Sequence, residues 1–312
     1  MELSVLMTVR QFFNNHYLPV CMVDPTKRTL EAYEQMLRKW ERLTENLPLG
    51  EITSLQIAIF RDDLKREPGK ARGSTMADNT RRKHLRHLQS IIAKAGRAGP
   101  RNWDAIYLLD RIPYAKPPRA EISEPKAVAH DAIRDFLKVT VHARLPCVKG
   151  VEPGEWLRAF VLMILSTSLR YGQITALPMS SVDFAKGIVK LPKNISRKSR
   201  RDQTFHLHPV AVKALMAVRG KRALLLPQPH TKKNFYLEID RLGSLSGIPA
   251  KVFRPHALRR TAITDLAKIS STAAQMAAGH ASFQTTVDHY IATDALRDAV
   301  NKLPFFGDAD LN

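Results

Sequence analysis

Six side chains in the second half of the chain are of types that bind an oxyanion and move a proton. His256 and Arg259 stand three apart in FRPHALRRTAITDLAK, so a helix opening at Pro255 carries both on one face. His280 directly follows Gly279, which ends a second helix capped at Ser270-Ser271. Tyr290 comes ten residues later, after the pair Thr285-Thr286. These groups fall at helix starts and turns, not on apolar stripes. Upstream, Arg170 ends the apolar run FVLMILSTSLR, and Lys193 follows a short basic hairpin. Arginine forks match the geometry of phosphoryl oxygens and stay charged at any working pH. A histidine can take up a proton near neutrality, and a phenol with a pKa near 10 must lose one before its oxygen attacks anything.

The elements that position these residues can be read from periodicity. WLRAFVLMILSTSLR is apolar nearly all round, which predicts a buried core helix delivering Arg170 at its C-terminal end. VDF, a Lys186-Gly187 turn and IVKL predict a hairpin, with TFHLH as a third strand. Between them lies PKNISRKSRRD, a basic loop holding Lys193, Arg197, Lys198, Arg200 and Arg201. His206 and His208 alternate along the third strand, but no acid or Cys accompanies them at ligand spacing, so no metal is expected. Helices are predicted at about 209 to 219 and 231 to 245, and over AVAHDAIRDFLKVTVHA. The tail, TDALRDAVNKLPFFGDADLN, holds a short helix with Leu296, Val300 and Leu303 on one side, then Phe305 and Phe306.

Residues 1 to 111 read as helical. TLEAYEQMLRKWERLTENL places Leu30, Tyr33, Met36, Leu37 and Trp40 at helical spacing behind Thr29 as cap. Residues 53 to 64 offer Ser54 as cap and an apolar side of Ile57, Ile59 and Leu64. NTRRKHLRHLQSIIAKAG sets Leu85, Leu88, Ile91 and Ile92 against Arg81, Arg82, Lys83 and Arg86, and ends at Gly96. That basic face reads either as solvated charge or as a phosphate contact. Residues 112 to 125, IPYAKPPRAEISEP, hold four Pro and no periodicity, which is tether composition. The second domain then runs from 126 to 312.

The 312 residues carry 49 Lys plus Arg against 29 Asp plus Glu, a net charge of +20. Such an excess points to a polyanion, nucleic acid before a membrane surface. Two cysteines, Cys21 and Cys147, form no metal or disulfide pattern, which fits a reducing cytoplasmic compartment. The start lacks the layout of a secretory signal, and the longest apolar run is too short to span a bilayer.

H-x-x-R, then Gly-His, then Tyr about ten residues on resembles the C-terminal signature of the tyrosine recombinases, the phage integrase family. FVLMILSTSLRYGQITAL resembles the family's first arginine box, and the hairpin stands where the family carries a lysine. The resemblance covers about 120 to 305 well, and the N-terminal part in general style. Two departures stand out. Gln173 replaces the acid usual three residues after the arginine, and His280 to Tyr290 is ten residues where many members have nine, which puts His289 at the usual place.

The resemblance implies a simple two-domain protein that is mainly α with a small three-stranded sheet. Residues 1–111 would be a helical core-binding domain clamping DNA, 112–125 a linker, and 126–312 an α+β catalytic domain with an exchange tail. It further implies a site-specific recombinase of a mobile element or chromosome, located on the nucleoid in the cytoplasm. Such an enzyme works on double-stranded DNA as a homotetramer joined through the C-terminal tail, and is a monomer or weak oligomer without DNA. No cofactor or metal is implied. Arg170 and Arg259 would hold the non-bridging oxygens and Tyr290 would be the nucleophile. His256 would take its proton, His280 would assist, and Lys193, or failing it Lys198, would protonate the leaving oxygen. The basic residues Arg81, Arg82, Lys83, Arg86, Arg197, Lys198, Arg200 and Arg201 would meet the DNA. A topoisomerase with the same nucleophile, or a DNA-binding relative without chemistry, are the alternatives.

Overall fold

The computed structural model describes residues 3–69, 73–99, 102, 104–119, 127–196, 202–278 and 300. The chain divides into two compact units, Met1–Ser123 and Glu124–Asn312.

The first unit is helical. Thr8 caps a short α1 (Val9–Phe12) through a capping box with Gln11. The helix continues in π geometry over Phe13–Cys21, with Pro19 inside the wider turns. A proline that breaks an α-helix is accommodated in these turns. α2 (Lys27–Leu43) begins one turn before the expected site, because Thr26 and not Thr29 accepts the capping bond. α3 (Ser54–Asp63) is capped by Thr53 and buries Ile57 and Phe60. Ile59, expected on that side, remains 48% exposed. The spacing 57, 60, 64 follows the helical repeat more closely than 57, 59, 64 does. α4 (Asp78–Ala93) buries Leu85, Leu88, Ile91 and Ile92 against these helices. Trp40 and Phe60 meet edge to face at the centre, with ring centroids 5.2 Å apart.

The beginning of the proline-rich stretch is fastened to this unit. Tyr114 N–H donates to Ser54 Oγ at 3.0 Å, and Gln89 Nε2 donates to the Ala115 carbonyl at 2.7 Å. Gly96 leaves room here for the Ile112 side chain, which would have to shift for any larger residue. A Cβ on it would lie 2.3 Å from Ile112 Cδ1.

The second unit is built round α6 (Pro153–Thr167), every residue of which from Ala159 onward is buried. α8 (Pro209–Ala217) and α10 (Pro255–Ile269) pack against it. α5 (His130–Val139) is tied to α10 by Val128 N–H on Thr261 Oγ1 at 2.8 Å and by His130 Nε2 against Asp265 Oδ2 at 2.9 Å. α9 (Lys232–Leu245) supplies Phe235, which meets Trp156 and Phe160 edge to face. α7 (Tyr171–Thr175) follows α6, and α11 (Ser271–Ala278) follows α10 with Ser270 Oγ accepting from Ala273 N–H.

The sheet is antiparallel in the order β1 (Val182–Asp183), β2 (Ile188–Leu191), β3 (Gln203–His206), with Val189 opposite Val182 and Phe205. Gly187 takes φ +60 in the turn, a conformation that costs glycine little. The third strand ends before His208, whose Nδ1 turns back to accept from Val210 N–H and cap α8. His206 and His208 therefore do not form one strand face, because capping the next helix takes the second histidine out of the sheet.

Candidate active site

The end of α6 sets the site. At Thr167 the helix stops and Ser168 adopts φ 54, a left-handed position usually given to glycine. Ser168 is fully buried, and its turned-back carbonyl accepts a hydrogen bond from Arg259 Nη1 on α10. Two residues on, Arg170 heads α7, and its backbone N–H donates to Gln173 Oε1 at 2.9 Å. The amide at 173 thus serves as a capping acceptor, a task that does not need an acid.

α10 opens at Pro255, as its N-terminal proline predicts, and presents His256 and Arg259 one turn apart. Arg259 keeps only 5% of its surface exposed. Burial, and then the positive charge of Arg170, lower its pKa to about 10, so it remains a cation at neutral pH. His256 is exposed at the helix start. Partial desolvation, followed by the charges of Arg260, Arg259 and Arg170, holds its pKa below the usual 6.5. The imidazole is therefore mainly neutral at pH 7 and free to accept a proton. The electrostatic coupling among Arg170, Arg259 and His256 marks one cluster drawn from two elements far apart in sequence. Two neighbouring guanidinium groups repel each other, and an anion between them would relieve that repulsion.

Residues 147–297 match the model of the phage integrase family. A tyrosine recombinase XerD from Xanthomonas axonopodis pv. citri (strain 306) is 26% identical over 285 residues, covering 83% of this chain and 85% of the relative. The chain carries a domain of the phage integrase family, the tyrosine recombinases. Solved tyrosine recombinases share its fold. The Tn1549 transposon integrase (aa 82-397) in complex with circular intermediate DNA aligns with TM-score 0.63 and 17% identity, over 94% of this chain and 98% of that one. A lambda integrase dimer bound to a COC′ core site aligns with TM-score 0.61 and 16% identity, over 95% and 79%.

The remaining expected residues fall as follows. Lys193 is exposed in the turn after β2, with its backbone N–H on Asp202 Oδ1 at 2.7 Å. His280, Tyr290, Arg197, Lys198, Arg200 and Arg201 lie outside the described residues, as does the tail apart from the buried Val300. On α4, Arg82, Lys83 and Arg86, with Asn79 and His87, line a surface cavity of about 500 Å³. Arg81 departs from that group: it is 8% exposed and bonds the Asp78 carboxylate one turn earlier. It lies four and seven residues before Leu85 and Leu88, which puts it on the apolar side of the helix.

Three contributors escape a reading of the sequence for reactive side chains. Arg260 acts on His256, and its signal is being the second of two adjacent arginines. The Ser168 carbonyl leaves no mark in side-chain type. Gln173 stands out in sequence only as a departure, and its capping role follows from its place three residues after Arg170.

Among the described residues no group of three His, Cys, Asp or Glu side chains stands together as metal ligands would. Nor is any described helix long and apolar enough to cross a membrane.

Proposed function

We propose that Arg170, His256 and Arg259 are the fixed half of the active centre of a site-specific DNA recombinase. The phage integrase family domain makes the chain a DNA breaking and rejoining enzyme with a tyrosine nucleophile. The observation that carries the residue assignment is the bond from Arg259 to the Ser168 carbonyl, which ties it to the turn that carries Arg170, one helical turn from His256. Their forks suit the two non-bridging oxygens of a scissile phosphate, where charge gathers in the transition state.

In the proposed step Tyr290 Oη attacks phosphorus and His256 takes the phenolic proton. The bond from phosphorus to the 5′-oxygen breaks, and Lys193, or Lys198 in its place, gives that oxygen a proton. His280 donates to a non-bridging oxygen or orients the nucleophile. A 3′-phosphotyrosine and a 5′-hydroxyl result, and attack by a second 5′-hydroxyl reverses the step on a new strand. The exchange conserves the phosphodiester bond, so it needs no ATP.

The first unit would hold the duplex through Arg82, Lys83 and Arg86, and the loop Arg197, Lys198, Arg200 and Arg201 would lie on the DNA beside the catalytic domain. Residues 1–111 serve as the core-binding domain, 112–125 as the connection and 126–312 as the catalytic domain. Four copies, joined by exchange of the C-terminal tail, would act on two paired sites on the nucleoid.

The test is to recover DNA covalently attached to the protein in cells and sequence it. A defined site is expected, lost in Tyr290→Phe. Site-specific binding without any adduct, over long incubation with a nicked duplex of that sequence, would overturn the reading in favour of a binding protein. Relaxation of supercoiled plasmid by dilute monomer would do so in favour of a topoisomerase.

A further inference from the structure

α9 carries none of the residues assigned above, yet its side chains touch Tyr171, next to Arg170, and Arg254, two residues before His256. Lys232, in its first turn, sets its Nζ 5.3 Å from the ring centroid of Tyr171 and 5.4 Å from that of Tyr236. Both lie within the reach of a cation–π contact. The two rings stand 6.4 Å apart at 61°. A second cation, Arg254, lies over the same Tyr236 ring at 4.7 Å. Its Nη1 donates to the Tyr236 carbonyl at 3.1 Å and its Nη2 to Asp240 Oδ2 at 2.5 Å. Tyr171 is the residue after Arg170, and Arg254 is two before His256. A continuous path therefore runs from Arg170 through Tyr171, Lys232, Tyr236 and Arg254 to His256.

The path has a physical task. α7 is five residues long, too short to hold itself in helical form. Arg170, Arg259 and protonated His256 would push one another apart. Something must hold the Arg170 turn against the start of α10. Tyr171 is already fixed on its other side by Phe160 and Phe235, at 5.8 and 5.3 Å between centroids. Lys232 is exposed, and the neighbouring carboxylate of Asp240 pairs with Arg254. The two rings are what its ammonium group meets.

We propose that Lys232 and Tyr236 are positioning residues that fix the Arg170 turn relative to His256 at the start of α10. This rests on the reading of Arg170, His256 and Arg259 as the active centre. Neither residue touches the reacting atoms. Each acts through the spacing of groups that do, and a shift of about 1 Å at such groups can cost on the order of 100-fold in rate.

The experiment uses the full chain and a nicked duplex built on the recovered site. Two quantities are measured for each variant: the single-turnover rate of adduct formation at saturating DNA, and the dissociation constant with its salt dependence. Lys232→Met and Tyr236→Leu are expected to slow adduct formation by about 10- to 30-fold while affinity stays within about twofold. Lys232→Arg and Tyr236→Phe, which keep a cation and a ring face, should bring the rate back to within about threefold of the parent. An unchanged rate in Lys232→Met overturns the proposal, and because this side chain is exposed the variant tests it even if Tyr236→Leu does not fold. Weaker binding with a shallower salt slope and an unchanged saturating rate also overturns it, by making Lys232 a phosphate contact. Arg170→Ala separates the two readings: if it leaves the rate intact, the active-centre assignment fails, and the positioning role has nothing to position.

Discussion

Arg81 on α4 and Arg259 on α10 retain only 8% and 5% of their accessible surface. Each lies in a helix, and each occupies the apolar side of a charge-rich segment. Arg81 bonds the carboxylate of Asp78, one turn earlier in its own helix. Arg259 reaches a backbone carbonyl on another element, and a second arginine acts on it. Burying a cation is costly unless it is paired. At the first site Asp78 supplies a pairing carboxylate from the same helix. The second concentrates positive charge on a rigid frame, which is the arrangement that suits an incoming phosphate. Burial alone therefore does not mark a functional arginine. The sign of its neighbours does.

The sharpest way to break this comparison is to delete each arginine in turn. Arg259→Ala is expected to lower the single-turnover rate of adduct formation by about 100- to 1000-fold, the usual effect of losing one preorganised donor to a developing oxyanion. Arg259→Lys should recover little of this, since an ammonium offers no planar fork. Arg81→Met should leave the rate unchanged. Equal losses from both positions, read on a denaturing gel of the trapped adduct, would show that burial and not charge context is what matters.

Histidines sharpen the same contrast. His84 on α4 is buried, and burial, followed by the charges of Lys39, His87 and Lys83, brings its pKa down to about 4. Its folded-state pKa lies below the unfolded value near 6.5, so the unfolded chain binds the extra proton. Stability is fully present above pH 6.5 and is lost as pH falls toward 4, by about 3 kcal/mol over the whole window. Denaturant unfolding of the first unit at pH 7 and pH 4.5 should show most of that loss, and His84→Phe should flatten it. His256, exposed and functional, should instead shape the rate: the acid limb of adduct formation should lie below pH 6.5.

Much of this was legible in the sequence. The all-round apolar run around residue 160 could only be a buried helix, and its end fixed Arg170. Pro255 announced the start of α10, and with it the shared face of His256 and Arg259. What was not legible shares one physical cause: local signals were degenerate. Thr26 and Thr29 are both good caps one turn apart, and their hydroxyls bond each other at 2.9 Å. Backbone context alone selects the first. Pro19 reads as a helix breaker, yet wider π turns carry the chain past it. The Ser168 carbonyl could not be foreseen, since its direction depends on a left-handed turn that residue type does not require.

A smaller effect concerns the exposed cations of α4. Replacing Arg82, Lys83 and Arg86 together by Ala should reduce the slope of log affinity against log salt by about 0.9 for each phosphate that is no longer neutralised. The rate at saturating DNA should not change. A change in that rate would place this face in the chemistry and blur the distinction from the α10 cluster.

The smallest expected effect tests the turn beneath that cluster. A non-glycine residue in the left-handed region costs roughly 1 to 2 kcal/mol, and Ser168 carries that cost with its side chain fully buried. Among the described residues its hydroxyl also has no hydrogen-bond partner. Ser168→Gly removes both penalties and keeps the carbonyl that accepts from Arg259, although glycine gives back part of the gain through the entropy of the unfolded chain. The expected outcome is a second unit more stable by about 1 kcal/mol in urea unfolding, with adduct formation preserved. Ser168→Val, whose branched side chain tolerates that conformation poorly, should do the reverse and slow the reaction as well, because the carbonyl would turn away from Arg259. If Ser168→Gly stabilises the fold but slows adduct formation, the strained turn holds Arg259 more tightly than a relaxed one can, and its strain contributes to catalysis.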